Sequence, residues 1–299
     1  MDRYDAMRVF ARIMERRSFT HAAEDLGLPR SSVTDAVKEL EARLGVRLLQ
    51  RTTRHVSPTL DGEAYYQRCL RLVADLEDAE SAFAGAKPRG LLHVNVHPTL
   101  ASYFVVPHLP GFLSEYPNME LLLSEGDRYV DLVQEGVDCA LRVGTLADSE
   151  LIARRLTTLE EVTCASPSYI ARHGIPQRID ALDGHRMVGF RSSATGAVLP
   201  LEFTSDGKVR TVMLPSTVTV SGAETYASAA RAGLGLIQAP RYRLEQDFRR
   251  GALVPVLTAT PPTRTPVSAL YPRAKHLSPR LRVFLDWLAE QFRVGTAAG

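Results

Sequence analysis

Cysteine is scarce. The 299-residue chain has three, Cys69, Cys139 and Cys164, odd in number and far apart. Such a set fits a reducing cytoplasm and supplies neither a disulfide framework nor a zinc site. Long apolar runs are missing too: none approaches the ~20 residues that a membrane-spanning helix needs. The first residues are charged and read as a helix, not as a signal peptide. No sign of charge dominates, since 36 Lys and Arg face 34 Asp and Glu for a net +2. Global charge therefore does not announce a nucleic-acid binder, and any basic face must be local. There is no phosphate-binding glycine loop, no nucleophile elbow and no zinc-binding histidine pair on a helix. Gly233 and Gly235 read as a helix end before a strand. Repeats, low-complexity tracts and coiled-coil heptads are absent. Neither a catalytic centre nor a cofactor is called for. What remains is a chain of ordinary hydrophobic content, 45%, long enough for two domains or more.

The stretch from Ser18 to Ser57 organises what is there. Thr20 can cap a helix through Ala22, Ala23 and Leu26. Gly27 and Leu28 turn the chain, and Pro29 suits the start of the next helix. That helix has two faces. Val33, Val37, Leu40 and Leu44 recur at helical spacing and predict a buried stripe. Ser31, Ser32, Thr34, Asp35 and Lys38, with Arg30 just ahead, make a polar outer side of small residues, as a helix in a major groove requires. From Ala42 to Ser57 the chain holds Arg43, Arg47, Arg51 and Arg54 and no acid. Arg51, Thr52, Thr53 and Arg54 combine guanidinium and hydroxyl groups, both good phosphate partners. Val56 to Thr59 reads as a short strand ending at a turn, a wing beside a helix-turn-helix. An ordinary helical hairpin with a solvated basic loop is the alternative.

Asp2 to Arg16 predicts a first helix with Met7, Phe10, Ile13 and Met14 inward. Asp61 opens a long helix to about Ala86, on which Cys69, Val73, Leu76 and Phe83 track one side with Leu72 adjacent. It either connects domains or forms a dimer seam. Lys87 to Gly90 then makes a hinge, and the pattern becomes α/β. Leu91 to His97 is a strand, Ala101 to Tyr116 a helix, Met119 to Ser124 a strand, Tyr129 to Gln134 a short helix and Val137 to Val143 a strand. This alternation argues a parallel sheet with crossovers. Glu161 to Ala165 reads as the strand leaving this region. Further strands are predicted at Met187 to Phe190, Leu199 to Phe203, Val209 to Leu214, Thr217 to Val220, Leu234 to Gln238 and Pro266 to Tyr271. Helices are predicted at Pro167 to His173, Ala223 to Ala232, Pro240 to Phe248 and Pro279 to Phe292.

Met1 to about Ala86 resembles the DNA-binding module of the LysR-type transcriptional regulators. The matching residues are Phe10, the run Ser18 to Leu26, Val33-Thr34, Leu40-Glu41, Leu44-Gly45-Val46, Leu48-Leu49, Arg51 to Arg54 and Leu60-Asp61-Gly62. Two positions depart from the pattern: Pro29 stands where many members have a capping serine, and Asp35 where many have a basic or amide residue. The resemblance continues to the C-terminal helix. It implies a winged helix-turn-helix (residues 1–60), a linker and antiparallel dimerisation helix (61–87) and an effector domain (90–299). The effector domain would be two α/β subdomains similar to periplasmic binding proteins, about 90–162 with 268–299, and about 163–267. Implied partners are double-stranded DNA with an interrupted palindromic operator, a small-molecule effector, and copies of the chain in a homodimer or homotetramer. The implied location is the cytoplasm.

In open α/β sheets ligands bind at the carboxyl ends of strands and at helix N-termini. Candidate positions are Thr99 and Leu100 after the first strand, Arg142 and Gly144 after the third, Phe190 and Arg191, and Ser221. Ser18 and Thr20 join the DNA-side candidates. Helix N-termini and guanidinium groups favour anions, which points to a small organic acid. The bland alternative is that these turns are only capped helix starts. His93, Asn95 and His97 share one strand face, as a metal site or as polar residues near a cleft. Asp35 could accept from a cytosine amino group or pair with Lys38 or Arg30. Two function classes stay open: a ligand-responsive transcriptional regulator, and a small-molecule binding protein or enzyme with an appended helical module.

Overall fold

The computed structural model describes residues 1–51, 56–84, 87–126, 131–144, 146, 150–193, 195–273 and 277–297. The chain divides into two compact units. The first comprises Met1–Leu92, Tyr116–Glu120 and His276–Arg282, and the second His93–Glu115, Leu121–Lys275 and Val283–Gly299.

The first unit opens with α1 (Arg3–Arg16), capped by the Asp2 carboxylate, which accepts from the Asp5 N–H. Helix α2 (Phe19–Leu26) follows. Its cap is Ser18, not Thr20: Ser18 Oγ accepts from the His21 N–H at 3.3 Å, and Thr20 lies exposed inside the first turn. Gly27 ends α2 at φ 63°, a left-handed conformation that glycine adopts at little cost, and the Leu28 N–H closes back on Ala23 O. Helix α3 (Arg30–Leu44) starts after Pro29, which offers no side-chain cap. Val33, Val37 and Leu40 are buried as the spacing predicts, with Ala36. Leu44 is 40% exposed, because the helix end has already left the core. Strands β1 (Leu49–Arg51) and β2 (Val56–Pro58) pair antiparallel as the wing. Helix α4 (Leu60–Ala84) then returns over α1, with Phe10 and Tyr65 rings 5.7 Å apart. One core holds Val9, Phe10, Ile13, Phe19, Val33, Val37, Leu40, Leu48 and Cys69. Gly62 is where α4 meets the wing: a Cβ there would lie 1.9 Å from Leu48 O, so only glycine fits. Leu72 and Leu76, one turn apart on α4, are 52% and 41% exposed. The predicted helix end at Ala86 lies outside the described residues.

The following elements are β3 (Gly90–Val96), α5 (Pro98–Leu100), α6 (Leu109–Glu115), β4 (Met119–Glu125), α7 (Leu132–Glu135), β5 (Cys139–Val143), β6 (Ile152–Leu159), β7 (Glu161–Ala165) and α8 (Pro167–His173). Then come β8 (Gly189–Arg191), β9 (Val198–Leu199), β10 (Leu201–Ser205), β11 (Lys208–Val212), β12 (Thr219–Val220), α9 (Ala223–Arg231), β13 (Ile237–Pro240), α10 (Arg241–Arg249), β14 (Val254–Pro255), β15 (Thr265–Tyr271) and α11 (Pro279–Ala297). The helix predicted from Ala101 to Tyr116 is broken. A π turn spans Ala101–Val105 and a 3-10 turn Val106–His108 before α6 begins. Pro107 and Pro110 supply no N–H for a regular ladder, which explains the interruption.

A five-stranded sheet has the order β4-β3-β5-β15-β6. It is mixed rather than parallel: β3 runs parallel to β5, while β15 pairs antiparallel with both β5 and β6. The cause is β6, which leads the chain out of this sheet while β15 brings it back. Sequence reasoning placed the outgoing strand at Glu161 to Ala165. Residues 161–165 instead form β7, the middle of a three-stranded sheet β13-β7-β14. A second three-stranded sheet, β12-β8-β9, is joined to it by a Met187–Leu236 bridge. Pro200 divides the predicted Leu199 to Phe203 strand into β9 and β10, and β10 forms a hairpin with β11. On α11, Leu281, Phe284, Leu285, Leu288 and Phe292 are buried. Burial pushes the Cys69 and Cys164 thiols up to about 12 and raises Cys139 as well, so all three are inert as nucleophiles. Among the described residues no helix is long and apolar enough to cross a membrane.

Candidate functional site

The outer face of α3 is built from residues that the core does not need. Ser31, Asp35 and Lys38 follow at i, i+4 and i+7 and are all exposed. Arg30 is exposed at the helix start, and Ser32 and Thr34 flank the stripe half-buried. Thr34 spends its hydroxyl proton on Arg30 O at 2.9 Å, which leaves its methyl group and a lone pair for a partner. Asp35 Oδ1 lies 3.6 Å from Lys38 Nζ, an ion pair in open solvent. Such a pair contributes only ~0.2–0.5 kcal/mol, so an outside partner can separate the two side chains at little cost.

The wing is fixed to α3 by one carboxylate. Glu41 Oε1 accepts from the Leu48 N–H at 2.8 Å and the Leu49 N–H at 3.0 Å. On the other side, Thr59 donates to Arg47 O at 2.7 Å and accepts from the Gly62 N–H. Arg16 grips Asp25 with two hydrogen bonds of 2.6 and 3.0 Å and so locks α1 to α2. Arg51 ends β1. Thr52, Thr53 and Arg54, the other wing candidates, lie outside the described residues.

The effector candidates all lie in the second unit. Thr99 and Leu100 are buried in α5, and the Thr99 Oγ1 sits 2.9 Å from His97 Nδ1 and accepts from Tyr242 Oη at 2.9 Å. Tyr242 stands at the start of α10, with its ring on Phe104 at 4.8 Å and on Tyr103 at 5.1 Å. Arg142, 9% exposed on β5, donates to Asn95 Oδ1 at 2.6 Å, Leu141 O at 3.1 Å and Asn95 O at 3.4 Å. Asn95 in turn donates to Ser124 Oγ, which also meets His93 Nε2 at 2.9 Å. His93 and Asn95 are therefore parts of one hydrogen-bonded lattice on β3, β4 and β5, while His97 serves Thr99. Among the described residues no group of His, Cys, Asp and Glu could hold a metal. Gly144 follows β5 with φ 96°. Phe190 packs on Tyr226 at 5.0 Å, whereas Arg191 and Ser221 are exposed. Thr99 and Arg142 thus share a neighbourhood through β3, and Phe190 belongs to the core beside α9 and β13.

A two-faced helix, an anchored wing, and a second unit built on several small sheets beside a five-stranded one make one combination. Comparison with known families decides what it is. Residues 4–63 match the bacterial regulatory helix-turn-helix proteins of the lysR family, and residues 85–293 match the LysR substrate binding domain. The chain belongs to the LysR family of transcriptional regulators. It is 37% identical over 291 residues to the uncharacterized HTH-type transcriptional regulator YhjC of Escherichia coli (strain K12), covering 97% of each chain. It is 36% identical over 294 residues to an HTH-type transcriptional repressor of Pseudomonas aeruginosa (strain UCBPP-PA14), covering 98% of this chain and 93% of the other. Among solved structures it resembles CrgA, a LysR-type regulator from Neisseria meningitidis, with a TM-score of 0.59 and 33% identity over 96% of this chain and 98% of that one.

The regulator thus pairs a DNA-binding module with an effector-binding domain. Sequence reasoning missed Glu41 as the wing anchor, although it was visible as a matching residue, because nothing local ties it to Leu48. It missed Tyr242 and Ser124 entirely. Their partners lie 143 and 29 or 31 positions away, beyond any periodicity signal.

Proposed function

We propose that this LysR-family regulator is a cytoplasmic homo-oligomer that binds an interrupted palindromic operator and responds to a small organic acid. In this reading residues 1–60 bind DNA, 61–87 join two copies, and 90–299 hold the effector between subdomains of about 90–162 with 268–299 and about 163–267. Arg30, Ser31, Ser32, Thr34, Asp35 and Lys38 face bases, with Ser18 and Thr20 beside them. Arg51, Thr52, Thr53 and Arg54 hold phosphates. The exposed Leu72 and Leu76 support α4 as a dimer seam. A two-fold axis would set two recognition helices about one turn of DNA apart, or a multiple of it. A homotetramer would follow from further contacts between effector domains.

One observation carries the effector part: the 2.9 Å hydrogen bond from Tyr242 to Thr99. Thr99 belongs to the first proposed subdomain and Tyr242 to the second. A ligand that takes the Thr99 hydroxyl must compete with Tyr242, so binding and the subdomain angle are coupled. Arg142, Gly144, Leu100, Phe190, Arg191 and Ser221 complete the proposed lining. A thermal-shift screen of organic acids, neutral metabolites and amines tests the reading. Acids should stabilise the wild type, and Thr99→Val and Ser221→Ala should weaken that response. A screen that returns only neutral or cationic binders contradicts it. A gel shift on the promoter beside its own gene tests the DNA part.

A further inference from the structure

We propose that Arg243 is the anion anchor of the effector site, binding the ligand's carboxylate through its Nε–H. The proposal rests on the organic-acid reading above and assigns that reading a residue. Arg142, the cation first expected in this role, is occupied by neutral oxygens of Asn95 and Leu141. It positions β3 against β5. Arg243, on α10, is 8% exposed. Its Nη2 donates to Ala223 O at 2.6 Å and to Glu224 Oε1 at 3.3 Å. Its buried Nε meets no acceptor among the described residues. Buried polar groups in folded proteins nearly always find a partner, so an unpaired one calls for an explanation, and a ligand acceptor is the one proposed for Arg243.

The location fits. Tyr242, the preceding residue, bonds to Thr99. Ala223, whose carbonyl Arg243 holds, comes two residues after Ser221 and opens the nine-residue α9. Arg243 therefore holds the start of α9, two residues after Ser221, while its chain neighbour Tyr242 holds Thr99. Among the described residues the guanidinium has one ion-pair partner, Glu224 at 3.3 Å, whose side chain is 70% exposed and therefore screened by water. Glu161, on β7, also senses Arg243, but burial raises its carboxyl to about 7, against the lowering pull of a Thr265 hydrogen bond and of Arg243 itself. Glu202 on β10 raises it further, and Tyr226 and Tyr242 share the surroundings. Near neutral pH Glu161 therefore carries part of a negative charge only. A ligand carboxylate at Arg243 would raise Glu161 again, so binding would take up a fraction of a proton and weaken as pH rises through about 7.

The test uses the full chain and a panel of benzoate, salicylate, acetate and succinate, each beside its neutral amide. Calorimetry is run at pH 6, 7 and 8 in buffers of different ionisation enthalpy, on wild type, Arg243→Lys, Arg243→Gln and Arg210→Gln. Arg243→Lys keeps the charge and loses the Nε donor, so it guards against a misfolded Arg243→Gln. We expect an acid, and not its amide, to bind wild type with proton uptake. Affinity should fall about tenfold or more in both Arg243 variants and stay unchanged in Arg210→Gln, an exposed arginine paired with Asp180 away from the proposed lining. Acid binding that survives in Arg243→Lys with the same affinity and the same proton uptake overturns the anchor and leaves the organic-acid reading standing. A wild type that binds no acid on the panel overturns both.

Discussion

Removing the Glu41 carboxylate should free the wing. Its Oε1 is the acceptor for two neighbouring N–H groups, those of Leu48 and Leu49, at 2.8 and 3.0 Å. Both residues are buried, so water does not readily replace the lost acceptor. A hydrogen bond to a charged group contributes ~1.5–3 kcal/mol, and stranding a buried donor costs ~1–3 kcal/mol. The two bonds share one oxygen and are not additive, so Glu41→Ala should destabilise the wing by about 2–4 kcal/mol. Glu41→Gln keeps a neutral acceptor in place and should cost about 1 kcal/mol. Hydrogen–deuterium exchange of the peptide containing Leu48 and Leu49 reads this directly. Protection should fall about thirtyfold or more in Glu41→Ala and only severalfold in Glu41→Gln. DNA affinity should fall in the same order, because β1 delivers Arg51. Unchanged protection in Glu41→Ala would refute the anchor, and equal losses in both variants would show that shape and not charge matters.

Three further outcomes are expected. Arg51→Ala should weaken binding about equally on every DNA sequence and lower the salt slope by about one unit, measured by fluorescence anisotropy from low to high salt. Leu76→Asp should place an unpaired charge in the α4 seam and give monomers that bind DNA poorly; light scattering that finds the wild-type mass would make α4 a connector only. Asp35→Ala should raise affinity for random DNA, by removing a carboxylate that phosphates repel, and relax preference at one symmetric operator position. Binding to a library of operator variants checks this, and identical base preferences would show that Asp35 reads nothing.

The sequence was most legible where local signals agreed. Gly27, the Val33–Val37–Leu40 stripe and the acid-free wing each follow from spacing and side-chain chemistry within one turn or one loop. Boundaries failed where two polar residues competed for one task, as Ser18 took the cap that Thr20 could also have filled. Strand β6 was missed because it is a sheet edge: Arg154 and Arg155 interrupt its apolar residues, and only Leu159, at its end, is fully buried. The mixed direction of the five-stranded sheet was not visible, since β15 reaches its partners from more than a hundred residues away. The candidate effector turns were legible as turns. The hydrogen bonds from Tyr242 to Thr99, from Arg142 to Asn95 and from Asn95 to Ser124 were not, because each joins separate elements.

Effector control of DNA binding is proposed to run through the Tyr242–Thr99 contact. Its most direct measurement is anisotropy of a labelled palindromic fragment from the regulator's own promoter, titrated at fixed salt with and without the acid found by screening. The prediction is that the acid changes affinity or the footprint for wild type and that Tyr242→Phe shifts the unliganded protein toward the liganded behaviour. Identical titrations with and without the acid, in both proteins, would contradict it.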